Sequence, residues 1–509
     1  MAHAVRWTIA ATVSLSLALS LRAQEAPRAL QGQEFGETID VRVVNVEAVV
    51  TNRGGERVQG LKAGDFKLLV DGKEVPVEYF AEVAEGSAVS ASGSGGPVAA
   101  GEAMGRNYLV FIDEAVSIRS RRDDLLKRMK LDLALLRPTD RMAVLAFDGL
   151  HIEVLAPWTQ DVAALAAAFD KARQRPTLGM TARVHLEAPE SERNLMEDSA
   201  MILDDGDRTG GPDFRQLELA ALEGEAVSGD AYSDAHKSSD AAASALRAFE
   251  APPGRKVMLL VSAAWTLEAG PRFFGSVVGA ANRLGYSVYP VDSAQSGTYA
   301  IRSADVLARL TGGTALAPLD NRFFKAAVQE TGSYYLLGFS PSWKANDRTH
   351  PVTVTVAKSG LAVRSRYGFS ALSKTAVAAL HTESLLLFGG APSEKRLFVK
   401  LGPPKTRGKE LAVPVLLGVP FEALTLTPRG KGYVAELPLS LSALDEKGGR
   451  SSLHTRLEVA LPTLPVAGNY VRFQTVIRLS NLGQRLVFTV PDEQNGRSLW
   501  GEASFDRRK

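Results

Sequence analysis

The chain has 509 residues, 45% apolar and 23% charged, with 59 Lys and Arg against 57 Asp and Glu and no cysteine. That length exceeds one hydrophobic core and implies roughly three or four domains, while the ordinary composition excludes wholesale disorder. Without cysteine there is no disulfide, no thiol nucleophile and no acylated N-terminal cysteine, so packed cores alone must hold the fold.

The chain opens MAHAVRWTIAATVSLSLALSLRAQ: Arg6, an apolar run from Trp7 to Leu21, then Ala23. A charged start, short apolar middle and small final residue describe a secretory signal peptide over residues 1–23. The other reading is an uncleaved membrane anchor, for which the run is short. The expectation is a secreted or periplasmic protein with no membrane insertion after signal cleavage. Removing Arg6 and Arg22 with that peptide leaves 57 charges of each sign. A balanced chain argues against nucleic acid or an anionic membrane surface as the main ligand, since both require excess Lys and Arg. The expected partner is another protein.

Residues 24–37 are polar and aperiodic. From Ile39 the pattern alternates through VRVVNVEAVVTN and VQGLKAGDFKLLVDGKEVPVEYFAEV, with turn signals at Gly54-Gly55 and Asp71-Gly72. Period-two spacing with such turns predicts a small antiparallel β module over 38–83. The Gly-, Ser- and Ala-rich stretch 84–105 reads as a flexible linker.

At Arg106 the pattern turns α/β. Tyr108 to Ile112 is a short run of large apolar residues that ends in Asp113, and the helical pattern DDLLKRMKLDLALL follows. Such a run is a strand buried on both faces. Its terminal carboxylate falls where open α/β sheets place their ligands. RMAVLAFD is a second strand with HIEVLAPW as hairpin partner, and QDVAALAAAFDKAR is a helix. KVMLLVSAAW and YSVYPVD are strands; PRFFGSVVGAANRLG and SADVLARLTGG are helices closed by glycine, and NRFFKAAVQETG is a third helix. SYYLLGFSP reads as a further strand, and HPVTVTVAKSGLAVRSRYGF as a terminal hairpin. Alternation of this kind predicts a doubly wound sheet over 106–369.

An acidic, Ala-rich helical insertion at about 177–252 interrupts that domain, its residues 183–247 expected to be dispensable for the core. A connecting helix follows over 370–390. Six alternating runs over 391–509 predict a β-sandwich of about seven strands. The fold class is thus multidomain: α/β plus all-β.

The order of elements around Asp113 resembles the von Willebrand factor type A domain. More specifically, it looks like the type A-related proteins of acidobacteria and their relatives. The resembling pieces are VRVVNVEAVVTN, GLKAGDFKLLVDGK, NYLVFID, PGRKVMLLVS and YYLLGFSP…VTVTVAKSGLAVRSRYGF, covering residues 38–369. The resemblance implies a Rossmann-like domain that binds proteins, often through a divalent metal held by Asp-x-Ser-x-Ser, a loop threonine and a second aspartate. Asp113, Ser117 and Thr181 match that pattern, whereas Ala115 and Ala263 replace two oxygen ligands. One carboxylate and two hydroxyls suit Mg²⁺ poorly, so no cofactor is expected, weak Mg²⁺ at most. Asp113 therefore reads either as a weakened metal or partner site, or as an aspartate capping the following loop.

Glu114, Trp265, Arg119 and Arg121 are the candidate partner-binding residues beside it. Trp is enriched at binding hot spots, and an arginine group attracts acidic surface. No catalytic residue stands out: the seven histidines are scattered, and no zinc-protease helix, Gly-x-Ser-x-Gly elbow or phosphate loop occurs. The expected function is non-catalytic protein binding, as adhesion, scaffold or envelope-assembly component. The alternative is an extracellular enzyme with its site in the insertion or at the strand ends.

Overall fold

Asp71 and Gly72, both at positive φ, close a two-residue hairpin between β2 (Phe66–Val70) and β3 (Lys73–Val75). In this computed structural model the described residues are 43–93, 96–177, 230–263, 274–293, 298–316, 323–341, 343, 345–388, 397–407, 410–421, 424, 426–430, 432–446, 448–464, 466, 468–492 and 497–505. They fall into two units, one ending at Ala391 and the other beginning at Pro392, and most of their regular structure is strand.

In the first unit, β6 (Arg106–Asp113) lies at the centre of a five-stranded sheet and is buried along its whole length. Its neighbours are β7 (Arg141–Phe147) and β9 (Arg255–Ser262), both parallel. Parallel β10 (Tyr286–Asp292) and antiparallel β8 (Ile152–Thr159) form the edges. One face packs Leu109, Phe111, Leu145 and Met258 under α3 (Asp230–Ala248), α4 (Gly275–Leu284) and α5 (Thr298–Thr311). The other packs Val110, Ile112, Val144 and Leu259 against α1 (Arg119–Leu131), α2 (Val162–Gln174) and α6 (Phe323–Glu330). Alternate side chains of a strand point to opposite faces, so two covered faces require the unbroken apolar run seen in the sequence. Gly285 and Gly312, at φ near +80°, end α4 and α5 as expected.

The N-terminal strands do not form a module of their own. β1 (Val44–Asn52) and β4 (Tyr79–Ala84) flank β11 (Tyr334–Phe339), with β13 (Leu361–Ser365) beyond β1 and β5 (Ser87–Gly93) beyond β4. A second sheet runs β14 (Gly368–Ala371), β12 (Arg348–Val356), β2, β3. The two enclose Val46, Ala48, Leu68, Phe80, Leu337, Phe339, Val352 and Val354. The strand SYYLLGFSP therefore belongs to this sandwich rather than to the α/β sheet. The expected terminal hairpin does not form either, because β12 and β13 pair into different sheets. Each short strand finds enough buried surface only when chain ends some 290 residues apart meet, by the pairing of Val44 with Phe339.

The expected linker is also structured where it is described. β5 pairs with β4, the Ala88 amide donates to the Glu102 carbonyl, and Val98 and Met104 are buried with Tyr79 and Tyr334. Most of the expected insertion, residues 178–229, lies outside the described residues. Its end does not behave as dispensable: Ala241, Ala242, Ala243, Ala245 and Leu246 of α3 are fully buried in the sheet core. α7 (Lys374–Phe388) joins the same layer, Phe388 stacking on Phe249 and Phe249 on Trp158.

The second unit is a sandwich of nine strands among the described residues, against about seven expected. β15 (Phe398–Leu401) and β16 (Lys405–Arg407) both pair with β17 (Glu410–Pro420), separated by Pro403 and Pro404, which lack a ladder donor. β21 (Tyr470–Ser480) lies on the other side of β17. The facing sheet contains β18 (Leu426–Arg429), β19 (Gly432–Asp445), β20 (Arg450–Leu461), β22 (Gln484–Asp492) and β23 (Arg497–Phe505). Alternate residues of β17 and β21, including Val413, Val415, Phe473 and Ile477, meet Leu439, Leu441 and Phe488 in the core.

Candidate functional site at the strand ends

Asp113 ends β6 with its side chain wholly buried. One carboxyl oxygen accepts from the Ser262 hydroxyl at 2.8 Å, and the other from the Ala115 amide at 3.2 Å. The Ser238 hydroxyl of α3 faces the same carboxyl and lowers its pKa, though it makes no hydrogen bond of ordinary geometry. Burial outweighs these contacts and pushes Asp113 up to about 6. The loop-capping reading of this residue therefore has its hydrogen bond, to Ala115.

Ser117 is buried as well, its hydroxyl 3.1 Å from that of Ser293. Ala263 is buried, while Ala115 packs partly buried on the core between sheet and helices. Ser262 and Ser293 were not singled out from sequence. Their only signal is position, the ends of β9 and β10, in the layer where Asp113 ends β6. Asp292 is in register with Ser262, two strands from Asp113 and so about 10 Å away by strand spacing. Thr181, the third expected ligand, and Trp265 lie outside the described residues.

Glu114 is not available to a partner, contrary to expectation. It is 1% exposed, and Arg175 reaches its two oxygens at 2.9 and 2.8 Å. Arg122, itself fully buried, stands 3.4 Å away and also donates to the Arg175 carbonyl at 3.0 Å. Burial raises the Glu114 pKa against the pull of both guanidiniums. Successive strand-end residues turn to opposite sides, so Glu114 faces α1 and α2 while Asp113 faces Ser262 and α3. Arg119 and Arg121 remain exposed at the start of α1, Arg119 with Asp123 at 3.8 Å.

These donors do not fit Mg²⁺. The ion wants a near-octahedral array of oxygens and keeps several waters beside its protein ligands. Here the Asp113 carboxylate is enclosed and both its oxygens accept hydrogen bonds. Among the described residues no three His, Asp or Glu gather as a metal site. No described helix is long and apolar enough to cross a membrane.

No protein-family model matches the chain, and no curated protein matches it in sequence. Solved structures do. The chain is similar to a von Willebrand factor type A protein from Catenulispora acidiphila, at 10% identity and TM-score 0.25, covering 84% of this chain and 72% of that one. It is similar to the vWF domain of the type V pili tip protein Mfa5 from Porphyromonas gingivalis, at 10% identity and TM-score 0.21, covering 44% and 94%. The pilus adhesin SpaC from Lactobacillus rhamnosus GG shares 8% identity at TM-score 0.23, covering 84% and 60%.

Proposed function

We propose that this is a non-catalytic protein-binding component, an adhesion, scaffold or envelope-assembly protein, whose type A-like α/β domain recognises its partner without a metal. It acts outside the cytoplasm, secreted or periplasmic, after loss of residues 1–23. The observation that carries this reading is the enclosure of Asp113: its oxygens are taken by Ser262 and Ala115 in a fully buried site. An adhesion metal must instead leave one coordination position open to a partner's carboxylate. The order of strands and helices around β6 supports the type A-like reading. With Glu114 closed off, the exposed Arg119 and Arg121 are the candidate contact group among the described residues. They suit an acidic partner surface.

Affinity capture from an envelope fraction tests this. The same partner should be held with and without EDTA, and lost when Arg119 and Arg121 are both changed to Glu. Loss of that partner on adding EDTA overturns the metal-free reading. An intact Met1 on the native protein in a cytosolic fraction overturns the proposed address.

A further inference from the structure

Several sheet edges in this chain are guarded. β8 has two register shifts and carries Pro157, and β5 is bridged from Ser87 to Ala103. The Pro290 carbonyl of β10 accepts the Leu316 amide, while β3 and β14 run only three and four residues. Bulges, proline, cover and brevity all keep a free ladder from pairing with another chain. β21 has none of these among the described residues. Its eleven residues pair with β17 without a shift, it contains no proline, and no described strand lies on its other side. The β15 side of the same sheet is instead tied across to β23, the Leu397 amide donating to the Trp500 carbonyl.

The register fixes what stands beside that edge. Val471, Phe473 and Ile477 fill the core, so the alternate residues of β21 lie on the outer face. There Arg472 lies across Gly418 from Phe398, Gln474 across Leu416 from Lys400, and Arg478 across Ala412 from Lys405. Gly418 is bare backbone between two aromatic side chains: a Cβ there would stand 3.2 Å from Phe398 and 3.3 Å from Tyr470. Both aromatics are 53% exposed. Lys400, Lys405 and Arg472 are exposed and Arg478 half-buried, against one carboxylate on the same face among the described residues, Glu410, 4.0 Å from Arg478. A second copy of the chain does not suit this edge. Pairing all eleven residues of two antiparallel β21 strands sets Arg472 against Arg478 twice, and like charges directly opposite destabilise a strand pair.

We propose that the β21 edge is a strand-addition site for an extended segment of another protein that carries acidic side chains at alternate positions. The main chain of that segment continues the ladder, which any sequence can do. Its carboxylates lie beside Arg472 and Arg478 on the outer face, and they supply the selectivity. The site belongs to the second unit and does not depend on Arg119 and Arg121 of the first.

Fluorescence anisotropy of dye-labelled synthetic peptides with the full-length chain tests this. The probes, each as long as β21, are Val alternating with Glu, Val alternating with Lys, and the Glu peptide N-methylated at every amide. The Glu peptide should bind, and the other two at least about tenfold more weakly. Lys400→Glu with Arg472→Glu changes only exposed side chains and should reverse the order, favouring the Lys peptide. Changing Arg119 and Arg121 to Glu should leave peptide binding as it was, which tells this site apart from the contact proposed above. Amide exchange within residues 470–480 should slow when the Glu peptide is bound. Equal binding of the Glu and N-methylated peptides reduces the contact to charge attraction and overturns strand addition. So does a failure of the Glu peptide to bind, or a wild-type chain that sediments as a dimer with residues 470–480 already protected.

Discussion

Arg106 and Asp113, at the two ends of β6, bury charge in opposite ways. At the amino end, Arg106 is buried with Asp140, joined by Nε to Oδ1 at 3.0 Å and by a second, shorter contact. Burial alone would lower the Arg106 pKa, but the Asp140 carboxylate outweighs it. Arg255 is fully buried beside Glu47 at 3.1 Å and lies over the Tyr334 ring at 4.2 Å. The Arg255 contacts join the sheet to the sandwich that β1 and β11 build, while the Arg106 pair ties β6 to the turn before β7. At the carboxyl end, Asp113 has only hydroxyls and amides for company. The paired Arg106 depends on its partner, whereas Asp113, beside the paired Glu114, carries a charge the fold would be more stable without.

The sharpest way to break this comparison is Asp140→Ala. It leaves the Arg106 guanidinium buried and unpaired, and should cost about 3–5 kcal/mol in denaturant unfolding of the α/β unit. A loss below about 1 kcal/mol would mean that the amino end tolerates an orphan charge as readily as the carboxyl end.

Leu246→Ala comes next. If α3 is part of the lid over the sheet, truncating this buried side chain should cost about 2–4 kcal/mol. An unchanged denaturation midpoint would restore the view that the end of the insertion is dispensable.

Asp113→Asn should act in the other direction. A folded value near 6 against 3.8 unfolded means that the folded chain disfavours the charged form. The neutral amide should therefore stabilise by up to about 3 kcal/mol at pH above the folded value. That advantage should shrink as pH falls from about 6 and vanish below about 4, where wild-type Asp113 is itself protonated in both states. Destabilisation at neutral pH would show that the negative charge has a partner the account lacks.

Much of this was legible in sequence, and the failures share a cause. The β6 strand, its terminal Asp113 and the glycine-closed helices follow from local pattern, because a doubly covered strand must be apolar throughout. Strand partners are not local: nothing in VNVEAVV says that its neighbour is YYLLGF, nearly 300 residues on. The 84–105 stretch read as linker because small residues dominate it, yet Val98 and Met104 anchor it. The stretch that ends in α3 read as a dispensable insertion because it is long, acidic and Ala-rich, whereas its alanines let the helix approach the sheet closely. At the site, the departure of Ala115 and Ala263 from the resembled pattern could be read in sequence. The contacts of Ser262 with Asp113 and of Ser293 with Ser117 could not, since a strand-end serine has no pattern of its own.

The central proposal is that the strand end is an internal structure that holds no metal. Isothermal titration of the intact protein with Mg²⁺ and with Mn²⁺ tests it most directly, with Asp113→Ala and the double variant Ala115→Ser, Ala263→Asp alongside. The account predicts no binding to the unmodified chain or to Asp113→Ala, and measurable affinity only in the double variant, where two oxygen ligands are restored. Micromolar binding by the unmodified chain that disappears in Asp113→Ala would contradict it, and would make the strand end a working metal-dependent site.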